Sequence, residues 1–214
     1  MLHPIHPLKK IIAKGESSTL DFKNTISSAK KIAKTLVAFS NSVGGSILIG
    51  VKDNGYIVGV QQEEEIFMIN SAATIYSKPN INYEVILHEF NDLTVVEIVM
   101  REGTQKPYYA QDEDNKWWVY VRINDKNLLT SKIRLEIMKA KTKQQNIVFQ
   151  YTNDDKTLLS YLEKNNSITF STYCNLLFLS QNEAIKKLVI LVNTGILAIH
   201  TTEESEYFTR QTIH

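Results

Sequence analysis

Seven lysines fall within the first forty residues, Lys9, Lys10, Lys14, Lys23, Lys30, Lys31 and Lys34, against only Glu16 and Asp21. Ammonium groups at this density can neutralise backbone phosphates, which gives affinity for nucleic acid but reads little sequence. Lys23 falls on the wet side of the alternating segment Leu20-Asp21-Phe22-Lys23, and Arg122 adds a guanidinium on a later strand-like run. Lys30, Lys31 and Lys34 also suit the solvated face of an amphipathic helix. A second group lies near the C-terminus. Ser180 and Glu183 have the spacing of a capping box, so a helix starting there exposes Gln181, Asn182, Lys186 and Lys187. Gln and Asn can pair with adenine edges, and Lys can reach guanine or phosphate. The aromatic cluster Tyr108, Tyr109, Trp117, Trp118 and Tyr120 can stack unpaired bases or pack as ordinary strand residues.

Other chemistries fail on spacing. The run Gly44-Gly45-Ser46-Ile47-Leu48-Ile49-Gly50-Val51-Lys52-Asp53 lacks the spacing and terminal hydroxyl of a phosphate-cradling loop, so ATP hydrolysis is not expected. His3, His6, His88, His200 and His214 are scattered without metal-ligand spacing. The single cysteine, Cys174, sits in apolar context and excludes an intrachain disulfide framework. A net charge of +1 over 214 residues decides nothing about partners, but its distribution is uneven: from Asp154 onward there are five basic and seven acidic residues. No apolar run is long enough to span a membrane and the N-terminus lacks the apolar stretch of a signal peptide, so a cytoplasmic protein is expected.

The elements that must position these residues follow from periodicity and punctuation. A short helix over Leu8 to Lys14 closes at Gly15, and Leu20 to Lys23 reads as a strand with one wet face. Ser27 or Ser28 caps a helix whose stripe is Ile32, Leu36, Val37 and Phe39. Asn41 ends it, and Gly44 and Gly45 let the chain reverse into a buried strand, Ser46 to Val51, that contains Gly50. Asp53-Asn54-Gly55 predicts a hairpin turn with a return strand over Tyr56 to Val60. A helix from Glu63 to about Tyr76, strands over Ile81 to Phe90, Thr94 to Met100 and Lys116 to Ile123, and a helix from Ser131 to about Lys143 complete a first domain, residues 1–143. Gln144 to Asn153 reads as a linker. Residues 154–214 then give three helices and a hairpin, the order of a small winged helix-turn-helix, although Glu203, Glu204 and Glu206 make its wing acidic. The fold class is therefore α/β (α+β), a mixed sheet with flanking helices followed by the smaller domain.

The ordered set Gly15-Glu16, Asp21-Phe22-Lys23, Ala38-Phe39-Ser40-Asn41, Gly44-Gly45, Ile49-Gly50-Val51-Lys52-Asp53, Gly55, Gly59-Val60 and Val119-Tyr120-Val121-Arg122-Ile123 resembles the Schlafen AlbA-type domain over roughly residues 8–135. The resemblance implies a nucleic-acid-binding module, DNA more than RNA. With a following winged helix it implies a bacterial transcriptional regulator without cofactor. It strengthens Lys23 and Arg122 as phosphate contacts, alongside Lys30 and Lys34. Animal Schlafen cores hold two such lobes, so a single lobe implies a homodimer. The same resemblance carries an alternative. Some animal members are metal-dependent endoribonucleases with three carboxylates, and by position Glu16, Asp21 and Asp53 match them. There Mg or Mn would activate water. Asp21 stands where Glu is usual, and Asp53 also suits the hairpin turn. A third alternative is a protein-interaction module that binds no nucleic acid.

Overall fold

The computed structural model describes residues 6–143 and 150–211 and divides the chain into two compact units, Met1–Thr130 and Ser131–His214. Among the described residues no helix is long and apolar enough to cross a membrane.

In the first unit α1 spans Pro7–Ile12, with proline in its first turn, where a missing amide hydrogen costs nothing. Strand β1, Leu20–Lys23, leads to α2, Ala29–Asn41, whose start is capped by the Ser28 hydroxyl accepting from the Lys31 amide. Strand β2 is Gly44–Ile49, α3 is Gln62–Thr74 and β3 is Ser77–Lys78. The long strands β4, Glu84–Phe90, and β5, Leu93–Arg101, are followed by β6, Tyr109–Gln111, β7, Trp117–Trp118, β8, Tyr120–Ile123, and β9, Lys126–Leu129.

The principal sheet has the order β1-β2-β5-β4. Strand β1 runs parallel to β2, pairing Asp21 with Ile47, while β5 is antiparallel to both β2 and β4. Alternation sends Ile47, Ile49, Val96 and Ile98 into a core with the apolar stripes of α2 and α3, and Leu48 and Val95 into a second cluster with Leu8, Leu20 and Phe22. One face of the sheet is thus sealed by the two long helices and the other by the N-terminal segment. The chain reverses at Gly44, with φ +82°, where an added Cβ would lie 2.5 Å from the Met100 carbonyl. A Cβ added at Gly45 beside it would lie 2.7 Å from the Phe39 ring.

The return strand expected over Tyr56 to Val60 does not form. Only a single bridge joins Val51 to Ile57. Gly50 takes φ +98° and lies against the Gly59 backbone, so the chain bends out of the sheet after Ile49 and only the turn at Gly55 survives of the hairpin. The run expected over Lys116 to Ile123 is divided between two small sheets, β3-β6-β7 and β8-β9.

In the second unit α4 spans Lys132–Thr142, α5 Asn153–Asn165, β10 Ser167–Thr169, α6 Phe170–Leu177, α7 Gln181–Asn193, β11 Leu197–Thr201 and β12 Glu206–Arg210. Capping boxes open α5, through Thr152 and Asp155, and α7, through Ser180 and Glu183. The three strands form an antiparallel sheet in the order β10-β12-β11. Ile133, Ile137, Leu158, Tyr173, Leu188, Leu197 and Phe208 share one core. Helix α4 therefore belongs by packing to this unit, not to the first as its place before the expected linker suggested. Its apolar residues Ile133 and Ile137 find their partners among the later helices. Most of that linker, residues 144–149, lies outside the described residues.

Candidate functional site

Strand β1 carries the residues singled out at the start of the chain. Burial alternates with the pleat only weakly here, because both faces of the sheet are covered, and Asp21 is 3% exposed. A carboxylate so placed must be matched by charge and hydrogen bonds or be protonated. Arg122 matches it. Its Nη2 lies 2.8 Å from Asp21 Oδ1, its Nε donates to the Ser17 carbonyl at 3.1 Å and its Nη1 donates to Asn127 Oδ1 at 3.0 Å. The Phe39 ring lies 5.0 Å from the guanidinium carbon. Asn127 passes the network on to the Thr35 hydroxyl of α2 at 2.8 Å. Arg122 thus ties β8 to β1 and α2, and at 4% exposure it has no route to a phosphate. The expectation that Arg122 holds a nucleic-acid backbone is corrected: strand β8 aims it inward, and its donors are spent on the fold.

Lys23 is partly spent in the same way. Its ammonium lies 2.5 Å from Asp21 Oδ2 and donates to the Phe22 carbonyl at 2.7 Å, though the side chain remains 36% exposed. Asn41 is buried at the end of α2. Its Nδ2 donates to the carbonyls of Tyr108 and Tyr120, both at 2.9 Å, and its Oδ1 accepts from the Tyr108 amide at 2.8 Å. It satisfies the backbone of β8 and of the segment entering β6, not the glycine corner beside it.

The three carboxylates are electrostatic neighbours. Glu16 accepts from the Phe22 amide at 2.9 Å. Burial pushes its carboxyl above the ordinary value and the charges of Asp21 and Asp53 push the same way, while the Phe22 amide and the Lys23 ammonium oppose them. Proximity is nevertheless not a metal site. Among the described residues no three His, Cys, Asp or Glu side chains are arranged to hold an ion. Asp21 Oδ1 is held by Arg122 and Oδ2 faces the Lys23 ammonium, so positive charge already stands beside both oxygens. In this arrangement Glu16, Asp21 and Asp53 do not form a donor set for Mg or Mn.

The other basic groups lie elsewhere, with Lys30 and Lys34 half-buried. Lys30 donates to Asn115 Oδ1 at 3.0 Å and stands 5.7 Å from the Tyr76 ring, while Lys34 stands 5.9 Å from the Tyr120 ring. In the second unit α7 begins with Gln181 and Asn182 exposed, followed by exposed Lys186. Asn182 accepts from Lys132 at 3.3 Å, and Lys187 is paired with Asp154 of α5. Gln181 and Lys186 are left as the open pair, on a helix whose Ala184, Ile185, Leu188 and Leu191 are buried. Lys78 and Asn115 were not singled out in the sequence. Lys78 lies 4.2 Å from the Trp117 ring, and a two-residue strand leaves no periodicity to read.

A family model described as "Schlafen, AlbA_2" matches residues 16–131. No curated protein matches the chain at a significant level. Several solved structures are similar, two of them as follows. One is the DIP2311 protein of Corynebacterium diphtheriae, at 16% identity and TM-score 0.47, covering 95% of this chain and 38% of that one. The other is the N-terminal domain of a RecG-related ATP-dependent DNA helicase protein of Nitrosomonas europaea, at 21% identity and TM-score 0.38, covering 50% of this chain and 78% of that one. The chain thus spans less than two fifths of the length of the Corynebacterium protein.

Proposed function

Since the chain belongs to the Schlafen AlbA_2 family through residues 16–131, we propose that it is a nucleic-acid-binding protein, and more finely a DNA-binding transcriptional regulator acting as a homodimer. The observation that carries the reading is the order of the second unit. Helix α5, strand β10, helices α6 and α7, and the β11–β12 hairpin close on a sheet ordered β10-β12-β11. That order supports a winged helix-turn-helix reading, in which the helix after the turn enters the major groove. Helix α7 holds that position, and Gln181 and Lys186 are the side chains it offers to base edges and phosphate. The acidic residues Glu203, Glu204 and Glu206 disfavour close wing contact with the backbone, so the reading rests on α7 rather than on the hairpin.

The test is fluorescence anisotropy of the full chain on a labelled mixed-sequence duplex across a salt series. Log affinity should fall linearly with log salt, and Lys186→Ala should weaken binding without lowering the melting temperature. Absence of duplex binding even at low salt overturns the reading.

A further inference from the structure

The small sheet β3-β6-β7 has a face that the second unit's DNA-reading role does not use. Its register pairs Ser77 with Ala110 and Ala110 with Trp118, and on the alternate positions Lys78 with Tyr109 and Gln111 with Trp117. Cross-strand partners share a side of a sheet. Ser77 and Ala110 are buried, so their side is the inner one, although Trp118 at its edge stays 40% exposed and donates to Asp112. Lys78, Tyr109, Gln111 and Trp117 therefore share the outer side. The Lys78 ammonium lies 4.2 Å over the Trp117 ring. Gln111 Nε2 donates to the Asn115 carbonyl at 3.3 Å, and Asn115 Oδ1 accepts from Lys30 at 3.0 Å, so the N-terminal turn of α2 borders the same face. Lys30 in turn stands over Tyr76.

Rings flanked by ammonium groups on a flat strand surface provide what an unpaired nucleotide needs, a platform for the base and a cation for the phosphate beside it. Two of the three acids of the β6–β7 turn have partners there, while Glu113 is exposed. Asp112 accepts from Trp118 Nε1 at 2.6 Å and from the Lys116 amide at 2.8 Å, and Asp114 lies 3.9 Å from the Lys116 ammonium. We propose that this outer face, Lys78, Tyr109 and Trp117 with Lys30 at its border, is a binding site for single-stranded nucleic acid. A base stacks on Trp117 in the place the Lys78 ammonium now holds, and Lys78 and Lys30 turn to the flanking phosphates. The inference rests on the nucleic-acid reading above and deepens it: the first unit takes unpaired strand, whatever α7 does with duplex.

The experiment uses the full chain carrying Trp118→Phe, which leaves Trp117 as the sole tryptophan. Its fluorescence is titrated with oligothymidylate of roughly a dozen nucleotides, within the site sizes typical of such platforms. Saturable quenching is expected. Lys30→Gln with Lys78→Gln should reduce the salt slope by about 1.4, since single strands lose about 0.7 per phosphate contact. In the parent chain Trp117→Ala should weaken binding of labelled oligothymidylate roughly ten- to hundred-fold. Both lysine changes are on exposed or half-exposed side chains, so the double variant reports on the site even where Trp117→Ala fails to fold. Duplex binding with no response to the single strand overturns this inference and leaves the proposed function standing. Single-strand binding insensitive to the lysine pair also overturns it. Failure of both ligands overturns both readings.

Discussion

In the first unit the charged and amide groups near the sheet, Asp21, Arg122 and Asn41, are turned inward and tie strands to α2. At the start of α7 in the second unit, Gln181 and Lys186 face solvent. The same side-chain chemistry serves two ends, and burial decides which. A guanidinium at 4% exposure has exchanged its water for carboxylate, carbonyl and ring partners and cannot exchange again for phosphate without unfolding its surroundings. An ammonium on an exposed helix face keeps its hydration and can release counterions from a polyanion.

The strongest way to break this contrast is to remove Arg122. Arg122→Met leaves Asp21 buried with only Lys23 opposite it, and should cost about 3–5 kcal/mol in urea unfolding. The double variant with Asp21→Asn should recover much of that loss. An unchanged midpoint in the single variant would mean that the network does not hold the fold. The matching change on the open side behaves oppositely. Gln181→Ala with Lys186→Ala should leave the midpoint within about 0.5 kcal/mol and weaken duplex binding by about 1–3 kcal/mol. Equal losses of stability in both experiments would erase the distinction.

Two smaller effects sharpen it. The Tyr173 hydroxyl is buried in the second core without a hydrogen-bond partner, and burial pushes its ionisation far up, with the charges of Asp155 and Asp154 adding to it. Tyr173→Phe should therefore change stability by no more than about 1 kcal/mol, and in the stabilising direction, because no bond is lost. A larger loss would reveal a partner for the hydroxyl.

The last effect depends on pH. The Glu16 carboxyl is raised above its ordinary value in the folded chain, so the folded state binds its proton more tightly than the unfolded state. The stability this gives is complete below the ordinary value of 4.5 and is lost as pH rises through the higher folded value. Glu16→Gln keeps an oxygen for the Phe22 amide and removes that dependence. Its melting temperature relative to the parent should rise between acid and neutral pH, and a difference flat across that range would contradict the assigned cause.

Much of the scaffold was legible because local physics wrote it. The Ser180 capping box, the Ser28 cap, the stripe of α2 and the glycine corner all follow from neighbours a few residues apart, and all occur near their expected places. Less of the candidate site was legible. The return strand after Gly55 was read from turn chemistry, but the close approach of Gly50 and Gly59 overrode it. Strands β3 and β6 of two and three residues carry too few positions to show a period, so Lys78 gave no signal.

The sequence alone settled which side chains exist, where most of the helices lie, and that a family pattern runs through residues 16–131. It determined that Arg122 and Lys186 are both cations. Only the tertiary structure decided that one is sealed against Asp21 and the other left in water, because burial is a property of elements packed from distant parts of the chain. Asp21 and Arg122 lie 101 residues apart, and no local spacing encodes their meeting.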